Sequence, residues 1–574
     1  MPDPAETHPR STSKGARRSS NRLPQPGPSD ARVTSDGVRT SAGPISPWLY
    51  DKLGVILPLL AVVYAALLLH REFAEFRGWV IDDSFITYIY SRNLAQGHGP
   101  VYSPSLPHAE GCTSVLWMVV MAIPHLPFIN ADALSFARAV SGICVVGAGI
   151  VLAATAWQLC RELRAGSRRI VSAAAGLVPF VFEPLVKNGM SGMETAFCAL
   201  LMCVFCCLTV AQHSRPNVVA LGVAGLLCGL ARPEANLMVV VSLATLVVLR
   251  DRSFRLESIR LLLVSYVLPA GLYFVWRWHF YGLPLPLPFY IKGIEFRDFP
   301  DSKQYGERLP GLPYVMRFVS ELSVAYWAFT AVVMAVSWKR VLPAFLGCVA
   351  VVFYFTTVKP IMAFDMRYLA PYACFLLSLP VIGMGSAGML LKGLNPPFGL
   401  IASILRAVGI LVALNSASFS ASPVPGSAFP AIDQGHIQLG QALGRLSSPD
   451  AHALIAMGDA GETPYFSGWQ CLDTDGLNDR WIATHGYGPG YTQYVLRHRP
   501  DVIACLSTDA TKWVGYDDTM TGLFNAALAD HYRIVGVKNC GPNYHLFILA
   551  NALSPIGQRV MSDLRLPVTI HSRS

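Results

Sequence analysis

The sequence predicts a polytopic α-helical membrane protein that ends in a soluble α/β domain. Three observations carry this. Of 574 residues, 53% are hydrophobic and 14% are charged, where a soluble chain carries about 25% charged residues. Apolar runs of membrane-crossing length, roughly 18 residues or more, recur between residues 53 and 420. Beyond about residue 420 the pattern changes to short β-prone runs separated by turn-rich and helical stretches.

Residues 1–47 are rich in Ser, Pro, Gly and Arg, with seven basic and four acidic side chains. So little apolar surface cannot offset chain entropy, and the segment is expected to be a disordered cytoplasmic tail. It lacks a short apolar core followed by a small-residue cleavage site, so no cleaved signal peptide is read. The run at 53–70 is then an uncleaved anchor. Further runs lie at 113–129, 138–160, 170–187, 195–212, 217–231, 235–249, 260–280, 313–337, 341–358, 368–390 and 402–419. The run at 113–129 is short and holds Pro124, His125 and Pro127. It is taken as a re-entrant or interfacial element, which leaves about 11 spans.

That choice gathers Arg161, Arg164, Arg168, Arg169, Arg215, Arg250, Arg252, Arg255, Lys339, Arg340 and Lys392 on the side of the basic tail. Basic short loops belong in the cytoplasm. The loops at 71–137, 188–194, 281–312 and 358–367 then face outward, as does everything after about 420. The transmembrane domain is read as 48–420 and an extracytoplasmic α/β domain as 421–574, in a multi-pass protein of the bacterial inner membrane. In the α/β domain, strands are expected at 453–457, 501–506, 532–537 and 544–549, and helices at 436–446 and 519–530.

The net charge of +9 fits cytoplasmic loops and anionic headgroups. No basic stripe with interleaved aromatic residues occurs, so nucleic acid is set aside. Ten of the 13 Cys fall in or beside the apolar region and read as small buried residues; Cys471, Cys505 and Cys540 lie in the C-terminal region. No CxxC…CxxC or HExxH spacing marks a metal site.

The polar residues that stand out sit in the loops assigned outward. Asp82 and Asp83 open a helix just after the first span; they read either as helix caps or as a general base toward an acceptor hydroxyl. Glu110 lies at the mouth of the 113–129 element, as a solvated carboxylate or a site residue. Arg277 and Lys292 flank a Pro-rich stretch, Leu283 to Pro288, which holds the chain extended at the interface, and either could hold a lipid phosphate. Asp365 and Arg367 read equally as a structural pair or as a phosphate-binding Arg. Glu194 sits at a span end, and Arg232 with Glu234 reads as a paired turn. Gly458-Asp459-Ala460-Gly461 follows a strand and is a tight turn or an anion cradle.

Taken in order, these motifs resemble a known family. Asp82-Asp83 with its aromatic helix, Arg92-Asn93-Leu94 with Gly97 and Gly99, and Glu110-Gly111-Cys112-Thr113-Ser114 with Leu116-Trp117 are similar to the GT-C membrane glycosyltransferases. Among these they most resemble the mycobacterial terminal β-(1→2)-arabinofuranosyltransferase family and its bacterial relatives. Ser191-Gly192-Met193-Glu194-Thr195, Ala231-Arg232-Pro233-Glu234, Tyr281-Gly282 through Tyr290 and Lys292, and the Gly458 to Asp479 region extend the resemblance over roughly residues 50–550. It implies a GT-C type fold and a polyprenyl-phosphate-linked sugar donor. It implies inversion at the anomeric carbon, with a first-loop carboxylate as base, Asp82 before Asp83. Lys292, Arg277 and Arg367 would neutralise the departing lipid phosphate, and Glu110, His98, Arg92, Tyr290 and Glu194 would line the substrate site.

The acceptor would be a cell-envelope glycan, lipid or protein. Arabinofuranose is the sugar the resemblance suggests. No cofactor is assigned, and a divalent cation is the one left open. Two departures fall at the expected donor site: Leu-Pro-Leu-Pro-Leu-Pro replaces the relatives' Pro-Asn-Thr after Gly282, and the pattern around Asp365-Met366-Arg367 differs. The competing reading is a transporter or flippase of a lipid-linked intermediate. Such proteins usually carry internal repeats and broken helices at mid-membrane; no convincing repeat is visible here, and the charged residues cluster at the outer face instead.

Overall fold

A computed structural model describes residues 47–129, 131–211, 215–292, 309–390, 408–415, 418–421, 429–447 and 452–566. The tail predicted over 1–47, apart from Pro47, lies outside these residues, as do 293–308, Lys392 and part of the span predicted over 402–419.

The membrane part is helical. Helix α1 (Pro47–Glu75) contains 29 residues, about 43 Å at 1.5 Å per residue. Its apolar side chains stay largely exposed, Val62 at 68% and Leu67 at 62%, as expected of a helix whose outer face meets lipid. Next come α2 (Asp83–Ala95), α3 (Val115–Ala122), α4 (Ala133–Leu159), α5 (Ala165–Val181), α6 (Glu183–Met190), α7 (Thr195–Val210), α8 (Arg215–Ala231) and α9 (Ala235–Val248). They are followed by α10 (Arg252–Leu262), α11 (Leu268–Tyr281), α12 (Leu287–Lys292), α13 (Leu312–Glu321), α14 (Val324–Tyr354) and α15 (Ala370–Leu390). Five of the described helical segments are long and apolar enough to cross a membrane: Lys52–Glu75, Ala133–Leu159, Phe254–Tyr281, Val324–Thr357 and Ala370–Ala387. The chain is a multi-pass membrane protein.

Three local features refine the predicted spans. Helix α3 has eight residues and passes into a 3-10 turn over Ile123–His125. At about 12 Å it is far too short to cross a core of about 30 Å. Helices α10 and α11 are joined by a π-helical turn at Leu263–Val267, so the run predicted at 260–280 begins earlier. The runs predicted at 313–337 and 341–358 become α13 and a long α14 that breaks at Ser337 (φ −134°, ψ 26°). On one side of the break Tyr326 donates to the Leu376 carbonyl of α15. At the break, Arg340 donates to the carbonyls of Val210 (2.9 Å) and Gln158 (3.3 Å), near the C-terminal ends of α7 and α4.

The C-terminal sheet has the order β2-β1-β3-β5-β4, formed by β1 (Leu454–Met457), β2 (Gln470–Asp473), β3 (Val502–Ser507), β4 (Tyr532–Gly541) and β5 (Tyr544–Asn551). Strand β1 is parallel to β2 and β3, and β5 is antiparallel to β3 and β4. The four predicted strands are present, and β2 is additional.

Helix α2 joins the two parts. Ile86, Ile89 and Tyr90, with Tyr102 from the following loop, enter the same core as Leu439, Ile455, Trp469 and Ile548. Phe85 and Tyr88 on another face pack with Trp117, Tyr465 and Phe466. Each such buried side chain stabilises by roughly 1.5–3 kcal/mol, so α2 is held from both directions.

Candidate active site

At one end of the helical bundle the loops enclose a cavity of about 290 Å³. Its wall is built from Asp83 and Thr87 of α2, the Gly111–Ser114 strap, Glu194 before α7, Arg232 and Glu234 between α8 and α9, Lys292 of α12, Arg367 and Tyr368 before α15, and Leu477 of the C-terminal domain. Local chemistry sets these positions. Gly192 adopts φ +88°, and a Cβ there would run into the Tyr88 hydroxyl and Ser84; Tyr88 O–H instead donates to the Gly192 carbonyl at 2.9 Å. That turn presents Glu194. Arg367 follows Met362, Asp365 and Met366, three non-glycine residues with positive φ (57°, 42° and 58°). Asp365 is held at 2.6 Å by the buried Lys187, and the amide of Asn188 donates to the Asp365 carbonyl at 3.2 Å.

The charges of the cavity are unevenly paired. Arg232 is paired with carboxylates, 2.6 Å from Glu234 and 3.5 Å from Glu194, while its buried Nη1 makes no hydrogen bond among the described residues. Arg367 lies 3.8 Å from Asp83 and donates to the Met362 carbonyl, while its buried Nε has no partner among the described residues. Lys292 meets the Tyr368 hydroxyl at 3.3 Å and no carboxylate among the described residues. Lys292 and Arg367 thus offer charge to an anion.

Beside this cavity lies an apolar groove of about 610 Å³ between α8, α9, the π-turn and α11. Thr113, Glu234, Phe289 and Tyr354 line both spaces. Leu237, Val240, Val267 and Phe274 of the groove are exposed on the outside of the bundle. The groove therefore opens sideways, toward lipid.

The predicted site residues separate into groups. Asp83, Glu194, Lys292 and Arg367 converge on the cavity. Asp82, the carboxylate favoured as base, does not line it and makes no side-chain cap bond to α2, whose first turn holds Asp83. Its Oδ1 instead accepts the Glu462 N–H at 2.6 Å, where Gly461 packs so closely that a Cβ would collide with the Asp82 carbonyl. The turn read as an anion cradle thus meets the carboxylate of Asp82.

Burial pushes the Asp82 pKa up to about 7, with His436 and the Glu462 N–H opposing and Asp459 and Asp83 adding to the rise. Burial also raises Asp459, but His436 at 3.5 Å and the Tyr544 hydroxyl outweigh it and hold Asp459 below its usual range.

Arg277 does not line the charged cavity. Its guanidinium is paired with Glu110 (Nε to Oε2 2.9 Å) and donates to the Pro284 carbonyl at 2.6 Å. The two residues line the groove, and burial raises the Glu110 pKa against the pull of Arg277. Glu110 is thus a buried, paired carboxylate, and the solvated reading does not hold.

Arg92 donates to the Tyr465 carbonyl at 2.8 Å and fastens α2 to the C-terminal domain. His98 is exposed in the turn after α2. Tyr290 is half-buried and absent from the cavity wall, to which its neighbours Phe289 and Lys292 contribute. Of the residues read as a structural pair, Asp365 meets Lys187 at 2.6 Å and Arg367 lies 3.8 Å from Asp83. Sequence reasoning missed Lys187 by reading it into an apolar run; a Lys at the end of such a run was the available signal. Among the described residues no three His, Cys, Asp or Glu side chains are placed to hold a metal ion.

Residues 430–550 match a family model described as "Domain of unknown function (DUF8728)". No curated protein matches the chain by sequence. In structure the chain is similar to ArnT from Cupriavidus metallidurans in the apo state, with a TM-score of 0.50 and 12% identity over 86% of this chain and 98% of that one. The same protein bound to undecaprenyl phosphate gives a TM-score of 0.49 at 13% identity, over 87% and 98%. The Archaeoglobus fulgidus oligosaccharyltransferase, in complex with zinc and sulfate, gives 0.42 at 12% identity, over 86% and 73%. The chain has a GT-C-like fold.

Proposed function

We propose that this chain is an inverting glycosyltransferase that moves a sugar from a polyprenyl-phosphate carrier to a cell-envelope acceptor, on the outer face of the inner membrane. The continuity of a cationic cavity with a lipid-facing apolar groove carries this reading. A lipid-linked sugar has a polar sugar, a phosphate and an isoprenoid tail in that order. The tail would occupy the groove, the phosphate would meet Lys292 and Arg367, and the sugar would lie toward Asp83. The GT-C-like fold and the ordered motifs agree with it. Outside the cytoplasm no nucleotide sugar is available, which also favours a lipid-phosphate donor.

In the reaction, an acceptor hydroxyl attacks the anomeric carbon from the face opposite the phosphate. Asp83 accepts the hydroxyl proton as the new C–O bond forms. The bond from the anomeric carbon to the phosphate oxygen breaks, and polyprenyl phosphate leaves with the electron pair. Lys292 and Arg367 stabilise the charge that develops on that oxygen. Holding donor, acceptor and base together supplies about 7–11 kcal/mol of the barrier reduction for well-oriented groups. Asp82 is given a docking role, and Arg277 with Glu110 shapes the entrance of the groove. Arabinofuranose remains the first sugar to try.

The test is transfer by purified protein in detergent, with polyprenyl-phosphate arabinofuranose and a panel of other lipid-linked sugars. Wild type should form product, Asp83→Asn should lose about 10²-fold or more, as for a removed general base, and Asp82→Asn should keep most activity. Folded wild type that consumes no donor with several acceptors would sink the proposal. Donor that crosses vesicles without forming a glycosidic bond would establish the flippase instead.

A further inference from the structure

A second cavity, of about 320 Å³, lies at the opposite end of the bundle, lined by Thr209, Ala211, Leu246, Leu249, Arg250, Lys339 and Arg340. Helix α7 separates it from the candidate active site: Glu194 precedes that helix and Ala211 follows it, so the two are about 24 Å apart along 16 residues. Three of its seven lining residues are cations and none is acidic.

Helix ends near this cavity carry partial negative charge, and other contacts already satisfy it. Arg340 donates to the carbonyls of Val210 and Gln158. Arg255, outside the lining, donates to the carbonyls of Val248 and Arg250 at 3.1 and 3.0 Å. Capping therefore accounts for Arg340 and Arg255 and leaves Arg250 and Lys339 without that role. Neither forms an ion pair among the described residues. Partial burial works against the charge of Arg250, and only its neighbour Asp251 offsets this. Leu246 and Leu249 give the cleft an apolar side, while the cations provide a polar mouth at the membrane edge.

We propose that this cleft is a phosphate-binding site, formed by Arg250 and Lys339 with Arg340 as its fixed wall, which takes the headgroup of an anionic phospholipid. Basic pockets between transmembrane helices hold such headgroups, and each Lys or Arg near an anionic leaflet contributes about 1 kcal/mol. General positivity of this end of the bundle would attract anionic lipid everywhere. A cleft instead concentrates the effect on two residues.

The experiment uses the delipidated full-length protein in detergent and native mass spectrometry with phosphatidylglycerol or phosphatidylcholine. Wild type should retain phosphatidylglycerol preferentially, and Arg250→Gln/Lys339→Gln should bind it about 30-fold more weakly, two contacts converted at 1.4 kcal/mol per tenfold. Arg164→Gln/Arg169→Gln, which alters exposed cations outside the cleft, should bind like wild type. Inorganic phosphate is the second arm: binding of phosphate that the cleft variant loses, with no preference between lipids, assigns the same site to a soluble phosphate. Equal retention by wild type and the cleft variant, or an equal loss in the control variant, overturns the proposal. An unchanged elution profile in size-exclusion chromatography shows that each variant is folded.

Discussion

Replacing Lys187 with Met should disable the cavity from below, without touching its wall. Lys187 and Asp365 have 1% and 7% side-chain exposure and meet at 2.6 Å. Removing one member of a buried ion pair costs about 3–5 kcal/mol. The loop that Asp365 anchors holds three residues with positive φ, each costing roughly 1–2 kcal/mol for a side chain other than glycine. The anchor and the strain, about 3–6 kcal/mol in sum, are of the same size, so the loop should relax once the anchor is gone and withdraw Arg367. A charge-assisted hydrogen bond is worth about 1.5–3 kcal/mol, which corresponds to a 10- to 150-fold fall in transfer. The assay is a double-mutant cycle of Lys187→Met, Asp365→Asn and the pair, read by thermal unfolding and by initial rate. The pair should unfold closer to wild type than Lys187→Met does, while transfer stays low. Additivity of the two single effects within about 0.5 kcal/mol, or wild-type rates in Lys187→Met, would refute the reasoning.

Gly271 lines the groove, and a Cβ there meets nothing within 4 Å. Gly271→Leu should therefore fill the groove while gaining up to about 1 kcal/mol of helix propensity: KM should rise for long-chain donors but not for short-chain analogues, and the melting temperature should not fall. Glu110→Gln leaves Arg277 buried without its carboxylate, so thermal unfolding should show a loss of about 3–5 kcal/mol. Asp82 has a folded pKa of about 7 against about 3.9 when unfolded. The unfolded chain thus releases this proton first, and the contribution of Asp82 to stability falls as pH rises from about 4 to 7. Asp82→Asn, which keeps an oxygen for the Glu462 N–H, should gain on wild type in melting temperature between pH 5 and pH 8. A constant difference across that range would show that Asp82 is not buried against Asp459 and Asp83 as described.

The sequence revealed the parts of this architecture that rest on local composition. Apolar length identifies α1, α4 and the longer helices, and Pro124 with Pro127 explains why the run containing α3 stops short. Alternating β-prone residues identify β1, β3, β4 and β5. Strand β2 escaped because Gln470-Cys471-Leu472-Asp473 is only four residues long with polar ends, and it becomes a strand by pairing with β1. The individual charges in the loops were visible, but which of them meet was not. Asp365 meets Lys187, 178 residues away, and Glu110 meets Arg277, 167 away. Such contacts depend on how eight chain segments close over one cavity, and no periodicity reports that.

The two neighbouring carboxylates illustrate how much the fold adds. Successive residues at the start of a helix point about 100° apart, since 3.6 residues make a turn. Two adjacent Asp residues therefore start out in different directions and need not serve the same site. In this chain Asp83 turns to the cations and Asp82 to the turn after β1. The arrangement ties the C-terminal domain to the candidate base through one peptide link, and Leu477 of that domain closes part of the same cavity. A domain that only displayed an acceptor from a distance would need neither contact. A flexible tether would also leave α2 with one packed face, whereas its aromatic and branched residues are buried on both. The C-terminal domain is accordingly part of the wall that fixes where Asp83 stands, and loosening it at Arg92 or Asp82 should alter the position of Asp83, the proposed base, before it alters Lys292 and Arg367.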